Sequence, residues 1–233
     1  TALLSAIICS AKMTTSSVNS IPVECENMIS KLITNFWAAE QSYTDMFALC
    51  TRTNIGLLGF AEYFHLCALR TGTLAKKLLS YQISHGGQVN VSEVKKMVEM
   101  PPQKDITVEK LMLIAFDMEK MLDELMNETN LMAKSKNDNK TSEFMENNLI
   151  PFQSHMLQTI QNHIHGLNES ENVWLYDSLT MKPFVSKIYQ MTEVNQLTKY
   201  TSSCAIRETT TKEPTIPNWN RESLEAFANC LLH

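Results

Sequence analysis

Four long stretches of this chain repeat apolar residues every three or four positions, and one long proline-bearing interruption divides them into two pairs. That pattern restricts the fold more than any other feature of the sequence. The first stretch runs from about Val23 to Cys50, with Ile29, Leu32, Ile33, Phe36, Tyr43, Phe47 and Cys50 at helical spacing. The second runs from about Leu57 to Ser84, with Phe60, Ala61, Phe64, Cys67, Leu74, Ala75 and Leu78 on one side. Gly86-Gly87 is placed to stop it as a glycine C-cap. The polar link Thr51 to Asn54 is too short for anything but antiparallel neighbours.

The interruption runs from Gln88 to Lys104 and contains Pro101-Pro102, which a helix interior does not accept. A connection of this length crosses a bundle end to end and makes the third helix parallel to the second. Helix three is expected over about Thr107 to Ala133, with Leu111, Ala115, Met118, Leu122 and Leu125 inward. Helix four is expected from Thr141 to about His165, kinked at Pro151 at a cost of up to ~3 kcal/mol. A short fifth helix over Asn172 to Met181 should end at Pro183. Thr192 to Pro217 reads as irregular, and Asn220 followed by Leu224, Phe227 and Leu231 as a terminal amphipathic helix.

Composition narrows the function classes. Six glycines and seven prolines in 233 residues disfavour a turn-rich β fold, so the expected class is all-α. A net charge of −5 without a basic block gives no footprint for nucleic acid. No apolar run reaches the roughly 18 residues that span a membrane. Cys9, Cys25, Cys50, Cys67, Cys204 and Cys230 show no zinc spacing and fit a reducing compartment, where a buried thiol behaves as a small hydrophobe. Residues 1–11 read as the end of a secretory signal, or residues 1–12 as sequence upstream of a start at Met13. The lack of a basic n-region favours the second reading and with it the cytoplasm.

Two short-linked helix pairs around one long crossover is the plan of the ferritin bundle, and the residues agree in order and register. Glu24-Cys25-Glu26 resembles the lead-in of invertebrate ferritins, and Phe60-Ala61-Glu62-Tyr63-Phe64 the start of the family's second helix. Ala75-Lys76-Lys77-Leu78, Tyr81-Gln82, Gly86-Gly87, Lys95-Lys96, Glu119-Lys120, Phe144-Met145-Glu146 and Gln153 follow at similar spacing. Trp174-Leu175-Tyr176-Asp177 resembles the short fifth helix. The resemblance covers about Glu24 to Met181. It implies an all-α ferritin-like four-helix bundle over residues 22–183, after an N-terminal segment 1–21 and before a C-terminal extension 184–233.

The resemblance also implies a chemistry. Ferritins oxidise Fe(II) at two irons held by a helix-one Glu, a helix-two ExxH pair, a helix-three Glu and a helix-four Gln, with a Tyr nearby. Hard, oxidisable iron suits such a set of carboxylates and imidazole. The matching positions here are Phe36, Thr71 and Leu74, with Glu119, Gln153 and Tyr43 remaining. One carboxylate and no imidazole do not hold two irons, so the centre reads as dismantled. Glu119, Tyr43 and Gln153 are expected to form a small buried hydrogen-bonded cluster, with Glu119 kept as a candidate metal ligand. Light-type ferritins keep cavity-facing acids that nucleate mineral; the corresponding helix-two positions are Arg70, Thr73 and Lys76. Gly72 within that helix costs about 1 kcal/mol relative to Ala. Glu143 and Glu146, one turn apart on helix four, match the family's three-fold channel, and equally read as acids favoured at a helix N-terminus. His163 and His165 point to different faces and read as surface residues.

The function implied is a subunit of a hollow iron-storage shell, twenty-four subunits in the family. It would handle Fe2+/Fe3+ in a homo- or hetero-oligomer and depend on a heavy-type partner for oxidation. The alternative is a shell of this fold turned to a chaperone-like or storage role, as in artemin. A small di-iron oxidase of the same fold is opposed by the missing ligands.

Overall fold

The structure is a computed structural model that describes residues 21–90, 92–102 and 105–190. The leader, the Thr192–Pro217 stretch, the expected terminal helix, Cys9, Cys204 and Cys230 lie outside them. Helices α1 (Val23–Thr51), α2 (Leu58–Ser84) and α3 (Val108–Ser135) end within two residues of the limits read from the sequence. Chain directions follow from contacts. Gln82 donates to the Glu26 carbonyl near one end of the α1–α2 pair, and Glu40 meets Gly72 further along, so the two helices are antiparallel. Glu24 pairs with Lys136 while Tyr43 meets Glu119, which makes α3 antiparallel to α1 as well. Hence α2 and α3 are parallel, as the long crossover requires. α1 packs chiefly on α2 and α3 on the helix over Ile150–Asn168, and contacts between α1 and α3 join the two pairs.

The first long helix has no glycine or proline inside it, and Glu24 and Glu26 in its first turn complement the helix dipole. α2 starts at Leu57–Leu58 without a capping side chain of its own. Its cap comes from far along the chain: the Asp177 carboxylate accepts from the backbone N–H of Gly59 (3.1 Å) and Phe60 (2.8 Å). Gly59 is required there, because a Cβ would lie 2.7 Å from that carboxylate and 2.9 Å from the Lys182 nitrogen. At the other end Gly86 adopts φ +76°, and the Gly87 N–H reaches the Gln82 carbonyl at 2.9 Å, so the expected glycine stop is made.

Two expectations are corrected. Helix four is not one kinked rod. It breaks at Leu149 (φ −129°, ψ −59°) into α4 (Asn139–Asn148) and α5 (Ile150–Asn168). Pro151 then falls in the first turn of α5, where no intrahelical N–H is needed, and the cost of an internal proline is avoided. The fifth helix does not stop at Pro183. α6 (Val173–Tyr176) passes into a π turn (Asp177–Met181) and helix continues over 182–190. The wider turn, with the Lys182 N–H on the Asp177 carbonyl, changes the hydrogen-bond phase immediately before the residue that has no N–H to give. Val185 and Ile188 are buried, and Tyr189 donates to Glu62 at 3.0 Å.

The core runs the length of the bundle. Phe36, Tyr43, Phe60, Tyr63, Phe64, Met112, Met118, Met126 and Met156 are fully enclosed. Cys25, Cys50 and Cys67 are free and buried; burial pushes the Cys50 thiol up to about 12 and Cys67 further, leaving unreactive apolar fillers. No helix among the described residues is long and apolar enough to cross a membrane.

Candidate metal centre

Halfway along the bundle, one side chain from each of four helices meets in the interior. Glu119 of α3 is fully buried at the centre. Tyr43 of α1 donates its hydroxyl to Glu119 Oε1 at 2.6 Å. Gln153 of α5 donates Nε2 to Glu119 Oε2 at 2.6 Å and to the Glu119 carbonyl at 2.9 Å. The sequence places these three together, and they are together.

The fourth member is Arg70 of α2, a position that the resemblance places on a cavity-facing surface. That assignment is corrected: Arg70 is 2% exposed and turned into the bundle. Nη1 donates to Glu119 Oε1 at 2.9 Å, and Nη2 donates to Glu119 Oε2 at 3.3 Å and to Gln153 Oε1 at 2.6 Å. This is the planar two-pronged pairing that suits guanidinium and carboxylate. The Gln153 amide orientation follows from it, with oxygen toward Arg70 and nitrogen toward Glu119.

The electrostatics match the geometry. Burial works against the Arg70 charge, but Glu119 outweighs it and holds the guanidinium above its ordinary value. Burial, and then the Glu119 charge, push the Tyr43 hydroxyl well up, so it remains a donor. Each carboxylate oxygen of Glu119 accepts two hydrogen bonds, which fills its acceptor capacity.

The positions that the resemblance aligns with the family's other iron ligands bring no carboxylate or imidazole. Phe36 is fully buried and Leu74 nearly so. Thr71 is buried too, but its hydroxyl donates to the Cys67 and Ala68 carbonyls of its own helix. Among the described residues, no group of three or more His, Cys, Asp or Glu is placed to hold a metal ion. The donor set present, one saturated carboxylate with an internal cation against it, does not fit a di-iron group.

The remaining positions on α2 behave differently from Arg70. Thr73 is half-buried and bonds to the Leu69 carbonyl, and Lys76 is exposed. Gly72 has a local reason: a Cβ there would stand 2.5 Å from the Glu40 carboxyl group. Burial raises the Glu40 pKa, and Lys76 partly opposes it.

Glu143 and Glu146 are both exposed on α4. α4 begins at Asn139, with Asp138 accepting from the Thr141 N–H, so these acids lie beyond its first turn and the helix N-terminus does not explain them. Glu146 is paired with Lys134 at 2.6 Å and accepts from Asn130 at 3.2 Å; the lysine contact holds its carboxyl below the usual range.

His163 is also corrected. It is 8% exposed, not a surface residue, while His165 is exposed as expected. Its Nδ1 lies 3.0 Å from the Tyr176 hydroxyl, and its ring stands edge-on to Tyr63 and Phe184. Burial lowers its pKa to about 4, so it is a neutral core histidine.

The model of the ferritin-like domain family matches residues 26–169. Chloroplastic ferritins of Malus baccata var. xiaojinensis and Phaseolus vulgaris are 28% and 27% identical over 162 residues, which is 66% of this chain. The matched part spans 63% and 62% of those relatives, less than two thirds of their length. The ferritin middle subunit of Salmo salar is 26% identical over 166 residues, 68% of this chain and 92% of that protein. Several relatives are chloroplastic by name, so they do not carry the cytoplasmic expectation.

Proposed function

The chain belongs to the ferritin family, and from that premise we propose that it is a subunit of a hollow iron-storage shell that does not itself oxidise Fe(II). The supporting observation is the Arg70–Glu119 ion pair at the middle of a ferritin-like bundle, where the family's iron ligands belong. Phe36 and Leu74 fill two ligand positions with hydrocarbon, and Arg70 supplies the positive charge that balances Glu119. Such a subunit contributes wall and surface, and iron is its cargo. Oxidation then falls to a catalytic ferritin partner in a mixed shell. Glu143 and Glu146 are the residues proposed to line a three-fold channel, with Lys134 reducing the net charge Glu146 brings to it.

The test combines particle mass and iron content. Light scattering on the purified full chain should give a large shell. Alone it should oxidise Fe(II) no faster than buffer, and co-assembly with an oxidising ferritin subunit should load iron into particles containing both chains. Rapid Fe(II) oxidation by the homo-oligomer, or a particle no larger than a dimer, rejects the reading. The alternative reading is a shell of this fold turned away from iron. Mixed shells that stay free of iron would favour it.

A further inference from the structure

We infer that Arg70 is the residue that bars metal from the middle of the bundle, more than the loss of the ligands at Phe36, Thr71 and Leu74. The inference rests on the proposed absence of an oxidation centre and adds its dominant cause.

A divalent cation bound to a carboxylate oxygen sits about 2.1 Å from it. Both Glu119 oxygens already receive Arg70 donors at 2.9 and 3.3 Å, and they share their remaining acceptor capacity between Tyr43 and Gln153. A metal there would stand within a few ångströms of a buried guanidinium, with no solvent to screen two like charges. Moving Arg70 aside would also break its 2.6 Å bond to Gln153 and leave a buried cation unpaired. Titration offers no escape, because an arginine stays charged and Glu119 raises this one further. The oxygens of Glu119 and Gln153 thus hold a cation that is covalently part of the chain.

One consequence is specific. Replacing Phe36→Glu, Thr71→Glu and Leu74→His restores ligand types but leaves Arg70 in place. The new carboxylates enter the field of the guanidinium and pair with it before any metal does. Restoration should work only when Arg70→Met is added, because Met keeps the volume and removes the charge.

The experiment is a Co2+ titration of the full chain, read by visible absorbance and by the shift in melting temperature. A Glu143→Gln/Glu146→Gln background keeps the surface acids out of the signal. The background protein and its triple-restored form should show no interior Co2+ binding. Adding Arg70→Met to the triple form should tighten Co2+ at least about a hundredfold, the scale set by breaking or sparing a buried charge pair. Equal Co2+ affinity with and without Arg70 overturns the inference. So does Co2+ binding by the background protein that Glu119→Gln abolishes. If the quadruple form does not fold alone, refolding with and without Co2+ reads the same linkage: recovery with Co2+ supports the inference and no recovery overturns it. Failure of the shell reading appears separately, as a small particle mass at every Co2+ concentration.

Discussion

Two glutamates of this bundle each hold a cation, and the closer pair is the weaker one. Glu146 and Lys134 meet at 2.6 Å on the surface, with side chains 48% and 54% exposed. Glu119 and Arg70 meet at 2.9 Å in the interior, with side chains 0% and 2% exposed. Water screens the first pair and replaces it readily when it breaks, so its net contribution lies between about 0 and 1 kcal/mol. Among the described residues, neither partner of the second pair forms another ion pair. Its formation from solvated ions is costly, and once formed it cannot lose one partner without leaving a bare buried charge. Burial, not distance, separates a decorative contact from one that decides what else the bundle can hold.

Removing one member of the buried pair sharpens this contrast most. Glu119→Gln leaves Arg70 unpaired and should cost about 3–5 kcal/mol in urea unfolding at fixed protein concentration. Arg70→Met should cost a similar amount. The double variant should be milder than the sum of the two by at least about 2 kcal/mol, because it leaves no charge stranded. Additive losses would mean that the two side chains are not the coupled unit the geometry describes.

His163 is a titratable group buried with no ion partner among the described residues, and it should respond to pH accordingly. It is packed by Tyr63 of α2 and by Tyr176 and Phe184 of the terminal segment, with Glu62 occupied by Tyr189. Its pKa in the fold is about 4, below the ordinary 6.5, so the unfolded chain takes up the proton first. Stability is then fully present above about pH 6.5 and falls as pH drops toward 4, by an upper limit of about 3 kcal/mol. His163→Phe should flatten that part of the profile. An unchanged slope between pH 6.5 and 4 would assign the acid sensitivity to other groups.

How much of this was readable in advance depends on whether the deciding contact is local. Helices α1 to α3 were legible because periodicity and end signals act within a few residues. Phe36, Leu74, Tyr43, Glu119 and Gln153 were legible as an interior set through the resemblance. Arg70 was assigned to a surface because a cation's default place is solvent, although it lies three residues after Cys67 and four before Leu74, both on the inward stripe of helix two. A buried acid with no metal-binding neighbours in the sequence pattern also calls for a cation. His163 gave a similar signal, falling at helical spacing between buried Ile160 and Leu167. The Asp177 cap on α2 gave none, since its partners are 117 and 118 residues away.

Glu40 extends the comparison to a half-buried carboxylate, with Lys76 as a charged neighbour. On helix propensity alone, Gly72→Ala should stabilise by about 1 kcal/mol. The new Cβ would stand 2.5 Å from the Glu40 carboxyl, so Glu40 must move and its packing is lost. The expected net effect is a loss of about 1 kcal/mol in thermal or urea unfolding. With Glu40→Ala already present the sign should reverse, and Gly72→Ala should then stabilise. If Gly72→Ala stabilises with Glu40 intact, the close approach does not constrain the site.

The smallest effect belongs to the surface pair. Lys134→Ala removes a 2.6 Å contact, yet both side chains are about half exposed, and Asn130 still donates to Glu146 at 3.2 Å. The expected loss is below about 1 kcal/mol at low salt and close to nothing near 1 M salt, where charges are screened within about 3 Å. Arg70→Met should lose almost the same stability at both salt concentrations, because mobile ions do not reach a fully enclosed pair. The salt dependence therefore separates the two glutamates independently of the absolute losses. A large, salt-resistant loss for Lys134→Ala would show that the α3–α4 corner is covered in the assembled particle, so that Glu146 and Lys134 are buried there as Glu119 and Arg70 are in the single chain.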